Sequence, residues 1–226
     1  MSVQKNLEEF LKRFELLKKN HDSKLILVSK TQPIEKIISA LEFGQVDFGE
    51  NKVTEGIEKF STIAKDRPNL QRPILHHIGP TQSGTVRKVF GNYQFAHGVS
   101  SLSGLQELVA RSKKETHSLQ YFLQINLTNE DTKNGFGKEE IPKLLEKRQE
   151  IETINLKLIG FMTMGPSDGD KAETRKAFAA CKQLRDTNFP EGKLSMGMSG
   201  DYEIALEFGS NFIRVGSAIF GERTTI

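Results

Sequence analysis

Apolar residues recur along this chain with two alternating periods. Val3, Leu7, Phe10, Leu11, Phe14 and Leu17 repeat at helical spacing, which predicts an amphipathic helix over residues 3–19. Beyond it, short β-branched runs alternate with longer stretches of helical spacing. Strands are predicted at Lys24–Ser29, Val46–Gly49, Ile74–Ile78, Gln94–His97, Leu119–Asn126, Lys157–Met162, Leu194–Met196 and Phe212–Val215. Helices fall between them. The first runs from Pro33 to Phe43 and stops at Gly44, and the next reaches Ala64. Others are predicted at Thr85–Phe90, Leu105–Arg111, Lys138–Ile151 and Tyr202–Glu207. A further helix opens on Asp170 and Glu173, at capping-box spacing, and runs to Arg185.

Eight βα units predict an α/β fold, a single (β/α)8 TIM-type barrel with an extra N-terminal helix. A doubly wound open sheet ranks second, because it rarely uses eight strands this short. Length agrees with one domain over residues 1–226, the helix of residues 1–20 packed on the barrel. A chain of this size buries about 70% of its unfolded surface and is short for two ordinary domains.

Charge and cysteine content narrow the picture a little. Lys and Arg number 32 against 29 Asp and Glu, a net +3 spread along the chain. That favours solubility and gives no basic stripe for nucleic acid. Cys181 stands alone, so no internal disulfide and no cysteine zinc cage can form. No apolar signal core or membrane-length run is present. A cytoplasmic protein is expected, a monomer by default.

In a barrel of this kind, chemistry sits at the C-terminal ends of the strands. The loops after the seventh and eighth strands carry Ser199-Gly200 and Gly216-Ser217. Small residues let backbone N–H groups approach an anion, and the hydroxyls add donors. Each loop alone reads as a cap or a turn; together at these strand ends they suggest a phosphate cup. Lys30 follows the apolar run Leu25–Val28. A partly desolvated lysine there can form a Schiff base, although an ordinary exposed lysine is the simpler reading from position alone. Arg214 could clamp phosphate, bond a ring nitrogen, or be an ordinary salt-bridged arginine. Of His76 and His77 only one can face inward. For these and for His97 a satisfied structural histidine is the simpler reading. No His/Asp/Glu cluster has metal-ligand spacing, so no metal is expected.

Several stretches then resemble one family: LILVSKTQP (25–33), FGEN (48–51), HHIGPTQS (76–83), GFMTM (160–164), LSMGMSGDYEIALEFGS (194–210) and IRVGSAIFG (213–221). From about Lys24 to Gly221 the chain resembles the pyridoxal phosphate homeostasis proteins. The resemblance implies a barrel like the N-terminal domain of alanine racemase. It implies that Lys30 holds pyridoxal 5′-phosphate (PLP) as an internal aldimine. Ser199, Gly216 and Ser217, with Gly200 beside them, would hold the phosphate, and Arg214 would face the pyridine nitrogen. Asn51, His77 and Met162 would line the site. The chain departs from the family where a Gly-x-Leu-Gln-x-Asn-Lys run is usual and Gly79-Pro80-Thr81-Gln82-Ser83-Gly84-Thr85 stands instead.

The functional expectation is a PLP carrier that buffers the cofactor or delivers it to apo PLP-dependent enzymes, without strong catalysis of its own. A racemase of this fold takes a tyrosine from a second domain, and no strand here is expected to end on a tyrosine. A minimal racemase or decarboxylase using Lys30 as its single base is the alternative. A Schiff-base aldolase acting on a sugar phosphate is a third reading.

Overall fold

The computed structural model describes residues 2–19, 21–128, 130 and 134–221. Eight strands close into a parallel barrel in sequence order. They are β1 (Lys24–Val28), β2 (Asp47–Glu50), β3 (Ile74–Pro80), β4 (Phe95–Val99), β5 (Leu119–Gln124), β6 (Leu156–Met162), β7 (Lys193–Met198) and β8 (Phe212–Val215). Closure is made by β1 on β8, with Lys24 opposite Phe212 and Leu27 opposite Val215. All eight predicted strands are present, displaced by a few residues at their ends.

The helices around the barrel are α1 (Val3–Lys18), α2 (Ile34–Glu42), α3 (Val53–Asp66), α4 (Ser83–Val89), α5 (Leu102–Ser112), α6 (Glu140–Glu146), α7 (Arg148–Ile151), α8 (Lys171–Asn188), α9 (Tyr202–Glu207) and α10 (Ser217–Phe220). Their starts have local causes. Asp170 accepts from the N–H groups of Ala172 and Glu173 and opens α8. Ser101 does the same for α5 through the Gly104 N–H, which is why that helix begins three residues before the periodic pattern. The single helix predicted at Lys138–Ile151 is two. Lys147 leaves helical backbone (φ −101°, ψ 28°), and Arg148 turns to stack on Phe189 and pair with Glu152 and Glu191.

Helix α1 lies outside the barrel and buries Leu7, Phe10 and Phe14. It packs across α2, α9 and α10. Asn6 Nδ2 donates to the Ile219 carbonyl at 2.8 Å, and the Phe10 ring sits 4.9 Å from that of Tyr202. The helix thereby ties the start of the chain to the elements that flank the β1–β8 seam.

Two apolar layers follow from the period-2 alternation of each strand. Outward residues such as Leu25, Leu27, Phe48 and Tyr121 pack under the helices in one continuous core. The barrel interior holds a much smaller apolar cluster of Ile26, Phe122, Met162 and Phe212, with Phe95, Ile159 and Met164 against it. The remaining interior is polar, an unusual filling for a barrel whose layers are commonly branched aliphatics. At the β5–β6 pairing the register shifts, so that Tyr121 meets Leu158 and Phe122 meets Gly160. Gly160 stands at φ +157°, and a Cβ there would lie 1.8 Å from the Lys193 carbonyl, so the bulge admits only glycine.

Candidate functional site

The C-terminal mouth of the barrel holds a cavity of about 550 Å³. Lys30, Asn51, Met162, Ser199, Gly200, Arg214, Gly216 and Ser217 all line it, so every sequence-derived candidate except His77 is gathered there. Val28, Ile78, Met164 and Met198 supply apolar walls.

The turn that presents Lys30 is held through its backbone on both sides. Before it, the Ser29 carbonyl accepts from Lys59 Nζ at 2.8 Å, and Ser29 Oγ donates to Glu50 Oε1 at 2.7 Å. After it, the Thr31 N–H donates to Glu55 Oε1 at 2.8 Å. Lys59 links the two carboxylates, 2.9 Å from Glu50 and 3.1 Å from Glu55. Thr31 stands at φ +60°, a costly conformation for a β-branched residue, and this clamp is what holds it. Glu50 is fully buried, and burial pushes its carboxyl up despite Lys59. Burial also raises the Glu55 carboxyl, but the Thr31 N–H and Lys59 outweigh it and the net shift is down.

Across the mouth, the loops after β7 and β8 are tied together by the Gly216 N–H, which donates to Ser199 Oγ at 3.4 Å. A Cβ on Gly216 would lie 3.0 Å from the Val28 carbonyl, a tight contact, so the absence of a side chain eases the close passage of the loop past β1. A Cβ on Gly200 would meet nothing within 4 Å, so its backbone is open to the cavity. Here the two serines and two glycines make a small, hydroxyl-lined cup. Amine, cup and guanidinium share one cavity, a donor set that fits a phosphorylated aromatic aldehyde.

Arg214 is buried and sits at the cavity floor. Its Nη1 donates to Ser195 Oγ at 2.6 Å and its Nη2 to the Thr163 carbonyl at 3.4 Å. Burial pulls the guanidinium down to about 10, against the opposing charge of Asp201. Behind it lies a set of interior residues that the sequence did not flag as functional. Ser195 Oγ is 2.8 Å from His97 Nδ1, His97 Nε2 is 3.0 Å from His76 Nδ1, and His76 Nε2 is 2.9 Å from Asp47 Oδ1.

His77, expected to line the site, does not. Strand β3 turns His76 inward, and His77 faces the outer layer. Its ring meets Tyr93 edge-on at 5.8 Å, and its Nε2 bonds the Pro80 carbonyl at 3.4 Å. Strand β3 reaches the cavity only beyond His77, through Ile78, Gly79 and Pro80.

Burial pushes the His76, His77 and His97 rings down, His97 furthest. An unfolded chain takes up protons at these rings below about pH 6.5, where the folded chain does not. Their contribution to stability is therefore present above that pH and lost as pH falls toward the folded values. Urea midpoints measured from about pH 7.5 to about pH 5 should decline, each ring adding at most ~1.4 kcal/mol per pH unit. A flat profile would mean that the rings titrate alike in both states.

Among the described residues, no group of three or more His, Cys, Asp or Glu is placed to hold a metal, and no helix is long and apolar enough to cross a membrane. Cys181 is buried, and burial pushes its thiol up to about 12.

Comparison with known proteins adds to this geometry. The alanine racemase N-terminal domain family matches residues 5–224. A pyridoxal phosphate homeostasis protein of Vibrio cholerae is 33% identical over 231 residues, covering 98% of this chain and 97% of that protein. The chain belongs to the pyridoxal phosphate homeostasis protein family. Another member, from Vibrio alginolyticus, is 37% identical over 203 residues, 88% of this chain and 86% of its own. Among solved structures, PipY of Synechococcus elongatus with PLP bound superposes with a TM-score of 0.83 at 27% identity, covering 97% of this chain and all of its own. Alanine racemase from E. faecalis shares the fold (TM-score 0.75, 15% identity), with 99% of this chain matching 59% of that one.

Proposed function

We propose that this family member stores PLP by holding it on Lys30 at the mouth of the barrel. The observation that carries the reading is the convergence on one cavity of a clamped lysine, a glycine–serine cup and a buried arginine. When bound, PLP supplies an aldehyde for amine capture and a ring that accepts electron density. Lys30 Nζ would be the amine that condenses with the aldehyde, releasing one water. Ser199 and Ser217 would donate hydroxyls to the phosphate, and Gly200 and Gly216 would let their backbone come close. Arg214 would donate to the pyridine nitrogen and, being cationic, keep a proton off that atom.

That last role favours storage over turnover, because an unprotonated ring is the weaker electron sink. The tyrosines point the same way. The hydroxyls of Tyr93 and Tyr121 donate to the carbonyls of Val53 and Ile151, and that of Tyr202 to Glu203; none of the three lines the cavity. The relatives are named as homeostasis proteins and not as enzymes. In this reading the cofactor leaves by exchange onto the lysine of an apo enzyme.

The test is reconstitution with PLP, dialysis, borohydride reduction and peptide mass analysis. One reduced adduct per chain on the peptide containing Lys30 is expected, and an adduct elsewhere or none would refute the assignment. Amino acids incubated with the loaded protein in deuterated water should show no Cα exchange at an enzymatic rate; fast exchange would make it a catalyst.

A further inference from the structure

Ser195, His97, His76 and Asp47 form a polar column inside the barrel, and with both rings neutral, the form their burial favours, its bonding has only one consistent direction. A guanidinium donates and never accepts, so Arg214 Nη1 must donate to Ser195 Oγ. At the far end Asp47 is a carboxylate, which accepts, so His76 Nε2 must carry a proton and donate to Oδ1. A neutral His76 then has a bare Nδ1, which accepts from His97 Nε2–H at 3.0 Å. His97 in turn has a bare Nδ1, which accepts the Ser195 hydroxyl proton at 2.8 Å. Reversing either ring would set two acceptors or two donors against each other. The two ends therefore dictate both tautomers.

Packing holds the rings in these orientations. His76 stacks on Phe95 (4.4 Å, 5° between planes) and His97 on Phe122 (4.5 Å, 23°), with Phe212 wedged at 5.7 Å from His97. Four apolar-facing polar groups in a barrel core are costly unless every one is paired, and here each link has its donor and its acceptor. Apolar walls also strengthen each bond by keeping water away.

We propose that Asp47, His76, His97 and Ser195 are positioning residues for Arg214, a one-directional hydrogen-bond relay that fixes the guanidinium plane at the cavity floor. Its consequence for PLP, a locked donor at the pyridine nitrogen, rests on the function proposed above; its effect on Arg214 itself does not.

Two measurements on the ligand-free protein test the relay directly. Long-range proton–nitrogen correlation should place the proton of both His76 and His97 on Nε2; a proton on Nδ1 of either ring overturns it. The Arg214 guanidinium should give resolved, slowly exchanging Nη signals that merge in Ser195→Ala; merged signals in the parent protein, or unchanged ones in that variant, also overturn it. With PLP, Ser195→Ala should retain the cofactor about tenfold more weakly, as expected for an unpaired buried donor. It should also shift the visible band, and Ser195→Thr, which keeps the hydroxyl, should restore both. A band and affinity unchanged in Ser195→Ala would show that the relay does not act on the cofactor. Failure of the parent to take up PLP at all would instead refute the cofactor reading, and the ligand-free signals would still decide the relay.

Discussion

Lys30→Ala should leave the fold intact and abolish the covalent PLP adduct. The visible band of the loaded protein should disappear, and borohydride reduction should fix no cofactor mass on the chain. Two features make this a clean separation. Lys30 is half-buried at the cavity edge, so truncation removes little packing. The clamp on its turn acts through the Ser29 carbonyl and the Thr31 N–H, neither of which the substitution touches. Stability should therefore change by less than ~1 kcal/mol in urea unfolding. Weak, dialysable PLP binding through the serine cup and Arg214 should remain. A variant that kept the parent band would put the linkage on another amine.

Lys59→Met should cost about 3–5 kcal/mol of stability, the expected loss when one partner of a buried ion pair is removed. Lys59 is 8% exposed and Glu50 fully buried, so water cannot replace the missing ammonium. The substitution removes the ammonium partner of the buried Glu50 carboxylate and takes from the Ser29 carbonyl one of its two donors, leaving it the Gln32 N–H at 3.1 Å. It also releases Glu55, the acceptor that steadies Thr31. Capture of PLP should slow along with the loss of stability, because the turn presenting Lys30 is no longer held. The double variant Lys59→Met, Glu50→Leu should recover much of the stability, since two apolar groups can fill the space of a buried pair. A loss under ~1 kcal/mol in the single variant would place this pair with ordinary surface bridges.

Much of the fold was legible in the sequence because it is carried by local signals. The run Leu25–Val28 and the periodic stretch Ile34–Leu41 declare strand and helix without reference to the rest of the chain. The serine–glycine pairs at 199–200 and 216–217 could be found because barrel geometry dictates where strand ends meet. His77 was misplaced because two adjacent histidines give the alternation no phase. Only the register, with Glu50 opposite His77 and Gly49 opposite His76, settles which ring points inward. The clamp and the interior column lay beyond sequence reading for another reason. Ser195 and His97 are 98 positions apart and Lys59 reaches back 30 to Ser29, so these bonds exist only after the barrel closes. The break at Lys147 was hidden because Arg148 answers to Phe189 and Glu191, both distant in the chain.

The pairing of β1 with β8 has a consequence for the life of the nascent chain. Lys30 follows the first strand, while Ser199, Arg214 and Gly216 belong to the last two, so the pocket joins nearly the whole length of the polypeptide. Contacts of such long sequence separation form late and slowly in folding. During synthesis, the lysine emerges first and must wait for some 180 further residues before the phosphate cup exists. Under the proposed function, cofactor retention would therefore report a finished barrel: a chain stalled, truncated or misfolded before β8 would have the amine but not the cup, and would hold PLP no better than any exposed lysine.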